Sequence, residues 1–266
     1  MTIYASNSLT GKHALITGAT GGIGYQTALT LAGMGASLTI TGRREMALEE
    51  LKQEILEKNP NAQVFSYKAN LSDSSEREAL INAAEQANGF ISLLVNSAGI
   101  LGGDVVESLT EAELEEIMHV NYTVPILLSQ RIYRTMKVKN QGAIVNVSSL
   151  SGLRGTYGGT AYCGSKFALI GFTQSFALEA IEHGVRVNAV CPGFVETTMG
   201  HDAIRAKANR ENRDFDEAYQ LANQGLPSGR ITTPQEVANT IAFLLTDAAA
   251  NIVGESVKIS GGSVMR

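Results

Sequence analysis

Residues 17–24 read Thr-Gly-Ala-Thr-Gly-Gly-Ile-Gly, closing the apolar run HALIT (13–17) and opening a helix-like stretch over 22–33. A strand that turns through glycines into a helix is a phosphate-binding arrangement. Glycine lets the backbone approach a pyrophosphate, and the helix start offers free N–H groups and positive dipole. The spacing alone allows two readings: Gly18, Gly22 and Gly24 fit G-x-x-x-G-x-G, and Gly18, Gly21 and Gly24 fit G-x-x-G-x-x-G. Beyond the loop, short β-branched runs continue at 37–41, 63–68, 91–95, 143–148, 185–190 and 256–260. Helix-like stretches alternate with them at 45–58, 74–87, 111–136, 160–182 and 234–246. Near-continuous apolar strands between helices indicate an α/β fold whose parallel sheet is covered on both faces.

The chain of 266 residues suits one large domain, 1–266, with no internal repeat or low-complexity linker. Hydrophobic residues make up 44% and charged residues 18%, the balance of a water-soluble globular protein. A formal net charge of −5, without a Lys/Arg run, argues against nucleic acid or anionic membrane as a partner. No apolar run approaches the ~20 residues of a membrane helix, and the N-terminus lacks signal-peptide character. The expected location is cytoplasmic. Cys163 and Cys191 have no metal-like spacing and read as two small buried thiols. The histidines at 13, 119, 183 and 201 form no HExxH pair, so no metal is expected.

The second strand ends in Thr41-Gly42-Arg43-Arg44, where an NAD site usually places an acid for the ribose 2′-hydroxyl. Arginine there can pair with a 2′-phosphate, which favours NADP (NADPH) over NAD. Tyr162 and Lys166 form a Tyr-x-x-x-Lys pair. With 8 tyrosines in the chain such a pair is cheap, but at i and i+4 on a helix the two share one face. An adjacent ammonium is expected to lower the phenol pKa from its usual ~10, so that the tyrosine can exchange a proton with a ketone or alcohol oxygen. Ser149, 13 residues upstream, ends a strand from which its hydroxyl could polarise the same carbonyl. A plain serine in a strand-to-loop turn is the alternative.

Together, TGATGGIG at 17–24, NSAG at 96–99, Asn121 in HVNYTVP, Ser149, YCGSK at 162–166, CPGFVETT at 191–198 and the ending VGESVKISGG resemble the short-chain dehydrogenase/reductase family over nearly the whole chain. The resemblance implies a doubly wound, Rossmann-type sheet of seven parallel strands flanked by helices. It implies that Tyr162 is the acid/base, that Lys166 lowers its pKa and holds the nicotinamide ribose, and that Ser149 positions the carbonyl. Asn121 would anchor a water of the proton relay. The implied cofactor contacts are Gly18, Thr20, Gly22, Ile23, Gly24, Arg43, Arg44, Asn70, Leu71, Asn96, Ala98, Gly99, Tyr162, Lys166, Pro192, Val195 and Thr197. The resemblance also favours the shorter branch of the family, with G-x-x-x-G-x-G spacing, because too little sequence follows Lys166 for a larger substrate domain. It implies a homotetramer, built on the stretches 111–136 and 160–182 and the C-terminal strand.

Three positions depart from the family pattern. Asn70 stands for the usual acid near the adenine, Ser97 for an asparagine, and Gly21 for a basic residue common in NADP-dependent members. Pro125, lacking an N–H, cannot bond the carbonyl of Asn121, which leaves that carbonyl free for a water. The polar stretch 197–228 reads either as a substrate lid over the crevice or as a surface helix pair. The leading reading is an NADPH-dependent reductase acting on a small-molecule or carrier-bound ketone, with resemblance to 3-oxoacyl and polyketide ketoreductases. The alternatives are an NAD-linked alcohol or hydroxyacid dehydrogenase, and a cofactor-binding sensor or scaffold without catalysis.

Overall fold

The computed structural model describes residues 3–265. Seven parallel strands form one sheet in the order β3-β2-β1-β4-β5-β6-β7. The strands are β1 (His13–Ile16), β2 (Ser37–Gly42), β3 (Val64–Lys68), β4 (Leu93–Asn96), β5 (Gly142–Val147), β6 (Val185–Pro192) and β7 (Ser256–Ile259). The connecting helices are α1 (Gly22–Gly33), α2 (Glu45–Lys58), α3 (Ser74–Asn88), α4 (Glu111–Met118), α5 (Val124–Lys139), α6 (Thr160–Ile181), α7 (Thr198–Arg210), α8 (Phe215–Gln224) and α9 (Pro234–Leu245). This is the doubly wound, Rossmann-type sheet, and every strand falls within three residues of its expected bounds.

Alternation along the strands feeds two cores. Ala14, Ile16, Leu93, Val95, Ala143 and Val145 pack on one face with α1, α2 and α9, where Leu31, Leu51 and Ile241 are buried. Leu15, Leu94, Ile144 and Val187 pack on the other with α3, α5 and α6, where Leu80, Ile132 and Phe176 are buried. Successive side chains point to opposite faces, so a strand covered on both sides must be apolar at every position. β3 and β7 are the edge strands and are only partly buried. Arg186, buried on β6, donates to the carbonyls of Leu244 (2.6 Å) and Thr246 (3.0 Å), closing the C-terminal end of α9 with positive charge.

The helical stretch expected over 111–136 is interrupted. A π turn spans His119–Thr123, and the Val124 N–H donates to the carbonyl of His119 five residues back. The missing N–H of Pro125 is the physical reason an α-helical ladder cannot run through this segment. The sheet order reverses between β1 and β4, and a crevice opens outside the carboxyl ends of the strands at such a switch point. The stretch 197–228 folds as α7 and α8 and flanks that crevice.

Candidate active site

The crevice encloses about 2560 Å³. That exceeds the ~300–1,000 Å³ of most small-ligand pockets and leaves room for a dinucleotide together with a second molecule. At its floor lies the glycine loop. Gly18 has φ +62°, and a Cβ there would sit 2.8 Å from the Ala98 backbone. A Cβ on Gly24 would lie 2.3 Å from the Gly18 carbonyl oxygen, and one on Gly22 would lie 2.4 Å from the Thr197 methyl. Gly21 meets only the Gly18 oxygen, at 3.3 Å. Space therefore separates the two spacings, because Gly18, Gly22 and Gly24 are the positions where no side chain fits. Helix α1 begins with no side-chain cap and no acid in its first turn, so its amide donors face the crevice uncompensated. This cradle fits the pyrophosphate of a dinucleotide.

Arg43 and Arg44 stand at the end of β2, both lining the crevice. Arg44 donates to the Thr20 carbonyl at 2.7 Å, bracing the glycine loop. No carboxylate lies within ion-pair distance of Arg43 among the described residues. Asn70 and Leu71 follow β3, and the Asn70 Oδ1 accepts from the Ser72 N–H at 3.2 Å. Thr20, Ile23, Ala98, Gly99, Pro192, Val195 and Thr197 all line the crevice as well.

Asn96 does not line it. Its side chain is buried beneath β4, donating to Ser129 (3.0 Å) and to Asn146 (2.8 Å), while Asn146 donates to Thr173 (2.9 Å). This polar chain ties β4 and β5 to α5 and α6. Asn121 likewise has a fully buried side chain. It exchanges hydrogen bonds with the backbone of Ile100 (2.8 and 2.9 Å) and donates to the Ser165 hydroxyl (3.1 Å), which itself donates to the Tyr162 carbonyl (2.8 Å). Ser165 thus couples the π turn to the turn of α6 carrying Tyr162. The YCGSK segment contains it, but no local pattern marks that role.

Helix α6 carries Tyr162 and Lys166 on one face, with the Lys166 Nζ 5.7 Å from the tyrosine ring centre. Lys166 is buried and donates to the Val147 carbonyl at 3.0 Å. The Ser149 hydroxyl accepts from the Ser151 N–H at 3.1 Å and acts on the Tyr162 phenol, favouring its ionised form. Burial pushes the Tyr162 phenol up to about 12, with Ser149 working against it. The expectation that the ammonium would bring the phenol down is therefore reversed in this geometry. The same burial brings Lys166 down to about 8. Cys163 and Cys191 are free, buried thiols. Among the described residues no group of three or more His, Cys, Asp or Glu side chains is arranged to hold a metal. No helix among them is long and apolar enough to cross a membrane.

Several lining residues carry no motif: Arg154 and Tyr157 in the loop before α6, Met199 and Arg210 on α7, and Leu221 on α8. Arg154 and Tyr157 come from a loop rich in glycine (152, 155, 158 and 159), and Met199 directly follows CPGFVETT, but neither segment marks these side chains as lining the site. The basic last turn of α7 is the one sequence signal for Arg210.

Comparison with known proteins places this geometry. The model of the short chain dehydrogenase family matches residues 12–208. The 3-oxoacyl-[acyl-carrier-protein] reductase FabG of Vibrio cholerae is 35% identical over 258 residues, covering 97% of this chain and 99% of that protein. An actinorhodin polyketide ketoreductase solved with NADPH superposes with a TM-score of 0.91 at 30% identity, covering 95% of this chain and 97% of that one. An NAD+-bound xylitol dehydrogenase gives a TM-score of 0.91 at 28% identity, covering 96% and 99%. A family match across most of the chain, a glycine cradle at the switch point and a Ser149–Tyr162–Lys166 cluster beside it lead to one conclusion: the chain belongs to the short-chain dehydrogenase/reductase family and is an NAD(P)-dependent oxidoreductase.

Proposed function

We propose that this protein uses NADPH to reduce a ketone to a secondary alcohol, as a single catalytic domain with Tyr162 as general acid. The observation that carries the reading is the clustering of Tyr162, Ser149 and Lys166 in one crevice, with the Lys166 Nζ 5.7 Å from the tyrosine ring centre and the phenol pushed up to about 12 by burial. A phenol kept neutral donates a proton to a carbonyl oxygen as negative charge develops there. Ser149 donates to the same oxygen and polarises it, and Lys166 stabilises the phenolate that proton transfer leaves behind. When bound, the reduced nicotinamide supplies the hydride. Asn121, in the π turn opposite Pro125, offers its backbone carbonyl to a water that returns the proton to Lys166.

The preference for NADPH rests on Arg43, free of acidic partners, and on the absence of an acid at the end of β2. Gly21, where a basic residue would add to that preference, is the feature favouring the NAD-linked alternative. Likeness to the Vibrio cholerae reductase and the actinorhodin ketoreductase supports a β-keto substrate, free or carrier-bound. Assembly as a homotetramer is supported by exposed apolar residues on α6, namely Phe167, Leu178 and Ile181. The test is turnover of a ketone panel (β-ketothioesters, bicyclic ketones and small diketones) with NADPH and with NADH. The expected result is turnover with NADPH at much higher kcat/KM. A strong NADH preference overturns the role of Arg43.

A further inference from the structure

Arg43 and Arg44 line the crevice where β2 meets the glycine loop, and two further arginines, Arg154 and Arg210, line it without a part in holding the cofactor. Arg154 and Tyr157 lie in the loop that leads into α6, a few residues ahead of Tyr162, and Arg210 lies in the last turn of α7. All three line the same crevice as Ser149 and Tyr162. The Arg210 guanidinium lies over the Tyr157 ring, 5.8 Å from its centre. It also approaches the backbone at Gly158, where φ is +67° and a Cβ would stand 3.5 Å from Nη1. Arg210 and Tyr157 are both exposed, so the aromatic face orients the guanidinium while leaving it accessible from the crevice.

The charge balance around this pair is uneven. The neighbouring cations of the α7–α8 segment are neutralised: Arg205 by Asp202 at 2.8 Å, Lys207 by Glu211 at 3.8 Å, and Arg213 by Glu211 and Glu217. Among the described residues no carboxylate lies within ion-pair distance of Arg154 or Arg210. Arg210 gains something from its position at a helix C-terminus, but that accounts for neither its seat on Tyr157 nor the presence of Arg154 along the same crevice. Of the acids that line the crevice, Asp202 and Glu211 are engaged by Arg205, Lys207 and Arg213, which leaves two guanidinium groups without an ion-pair partner among its lining residues. Met199 and Leu221, partly exposed large apolar side chains, line the same crevice.

We propose that Arg154 and Arg210 determine specificity by binding an anionic group of the substrate, a phosphate or a carboxylate, while the carbonyl sits at Tyr162 and Ser149. The substrate class is a ketone with an apolar stem and an anionic end. This deepens the ketone-reductase reading and rests on it for the identity of the reacting group. Three probes carry the test: acetoacetyl coenzyme A, acetoacetate and ethyl acetoacetate, which present phosphate, carboxylate and no charge. In Arg154→Ala, Arg210→Ala and the double variant, KM for the charged probes rises about tenfold or more, as loss of charge-assisted contacts requires. The kcat for those probes and the KM for ethyl acetoacetate stay near wild type. A rise confined to acetoacetyl coenzyme A identifies phosphate as the anion, and a rise for acetoacetate as well identifies any carboxylate or phosphate. Equal shifts for charged and neutral probes, or no shift, overturn the proposal. Calorimetric titration of coenzyme A and of acetoacetate separates this outcome from failure of the reductase reading. Weaker binding of either by about tenfold in the double variant sustains the anion site even if no ketone is turned over. Unchanged affinity for both coenzyme A and acetoacetate overturns it.

Discussion

The nucleotide half of the crevice and the α7–α8 segment that flanks it are held by different means. The nucleotide half is made of strand ends and backbone. Its glycines are fixed by contacts too close for a side chain, and beneath it lie the two large cores on either face of the sheet. The α7–α8 segment rests on a small cluster, Ile204, Ala208, Ala218 and Ile231, with Phe194, Phe215 and Tyr219 packed against it. Its polar fastenings include Asn223, whose Oδ1 accepts from the Ile231 N–H at 2.8 Å, and one carboxylate. Glu196, on the segment after β6, accepts from the Tyr219 hydroxyl at 2.5 Å and pairs with His201 Nε2 at 2.8 Å. Few buried contacts mean a low cost of local opening. One half is suited to hold a constant ligand, and the other can vary its side chains without disturbing the first.

Tyr162 lies at the junction of the two halves, and its loss has the largest expected effect. Tyr162→Phe lowers turnover by roughly 10²–10⁴-fold, the range of general acid catalysis, and leaves cofactor affinity near wild type. A fall in cofactor affinity as large as the fall in rate, measured by fluorescence titration, would mean that the halves are not separable. Gly24→Ala tests the rigidity of the nucleotide half. The added methyl meets the Gly18 carbonyl, so about 2 kcal/mol of stability is lost along with cofactor affinity. Unaltered melting temperature and affinity would show that the loop can yield.

The third prediction concerns pH. Tyr162 stays protonated up to about 12, whereas Lys166 loses its proton near 8. Ketone reduction therefore runs flat below about 8 and declines above it, by up to tenfold per pH unit, as the cation facing the nascent phenolate disappears. A profile flat well above that point refutes the role given to Lys166. The smallest effect belongs to the α7–α8 segment. Glu196→Gln removes a charge-assisted fastening of about 1 kcal/mol, which hydrogen exchange across 198–224 detects as faster opening while the β1–α1 loop stays protected. Equal acceleration in both regions would erase the distinction.

The sequence was most legible where structure is local. Strand, glycine turn and helix succeed one another within 13–33, and Tyr162 and Lys166 share a face because one helical turn separates them. It was least legible where the fold joins distant segments. Arg210 meets Tyr157 only because α7 folds back over the loop before α6. Asn96 lies in a segment that borders the crevice at Ser97, yet its own side chain turns inward to Ser129 and Asn146. The direction of the Tyr162 shift could not be read either, because the ammonium is visible in the sequence and the burial is not.

Lys166 also acts on the fold's thermodynamic balance. A lysine whose pKa falls from 10.5 to about 8 on folding is less easily charged in the native chain than in the unfolded one. The native state is thereby disfavoured by about 3 kcal/mol at neutral pH, and the penalty fades as pH rises from about 8 to 10.5. Lys166→Met should raise the melting temperature at pH 7 while abolishing reduction, with the gain shrinking in alkaline buffer. Selection for thermal robustness alone would discard this residue, so the enzyme's margin of stability is set in part by the cation its chemistry requires.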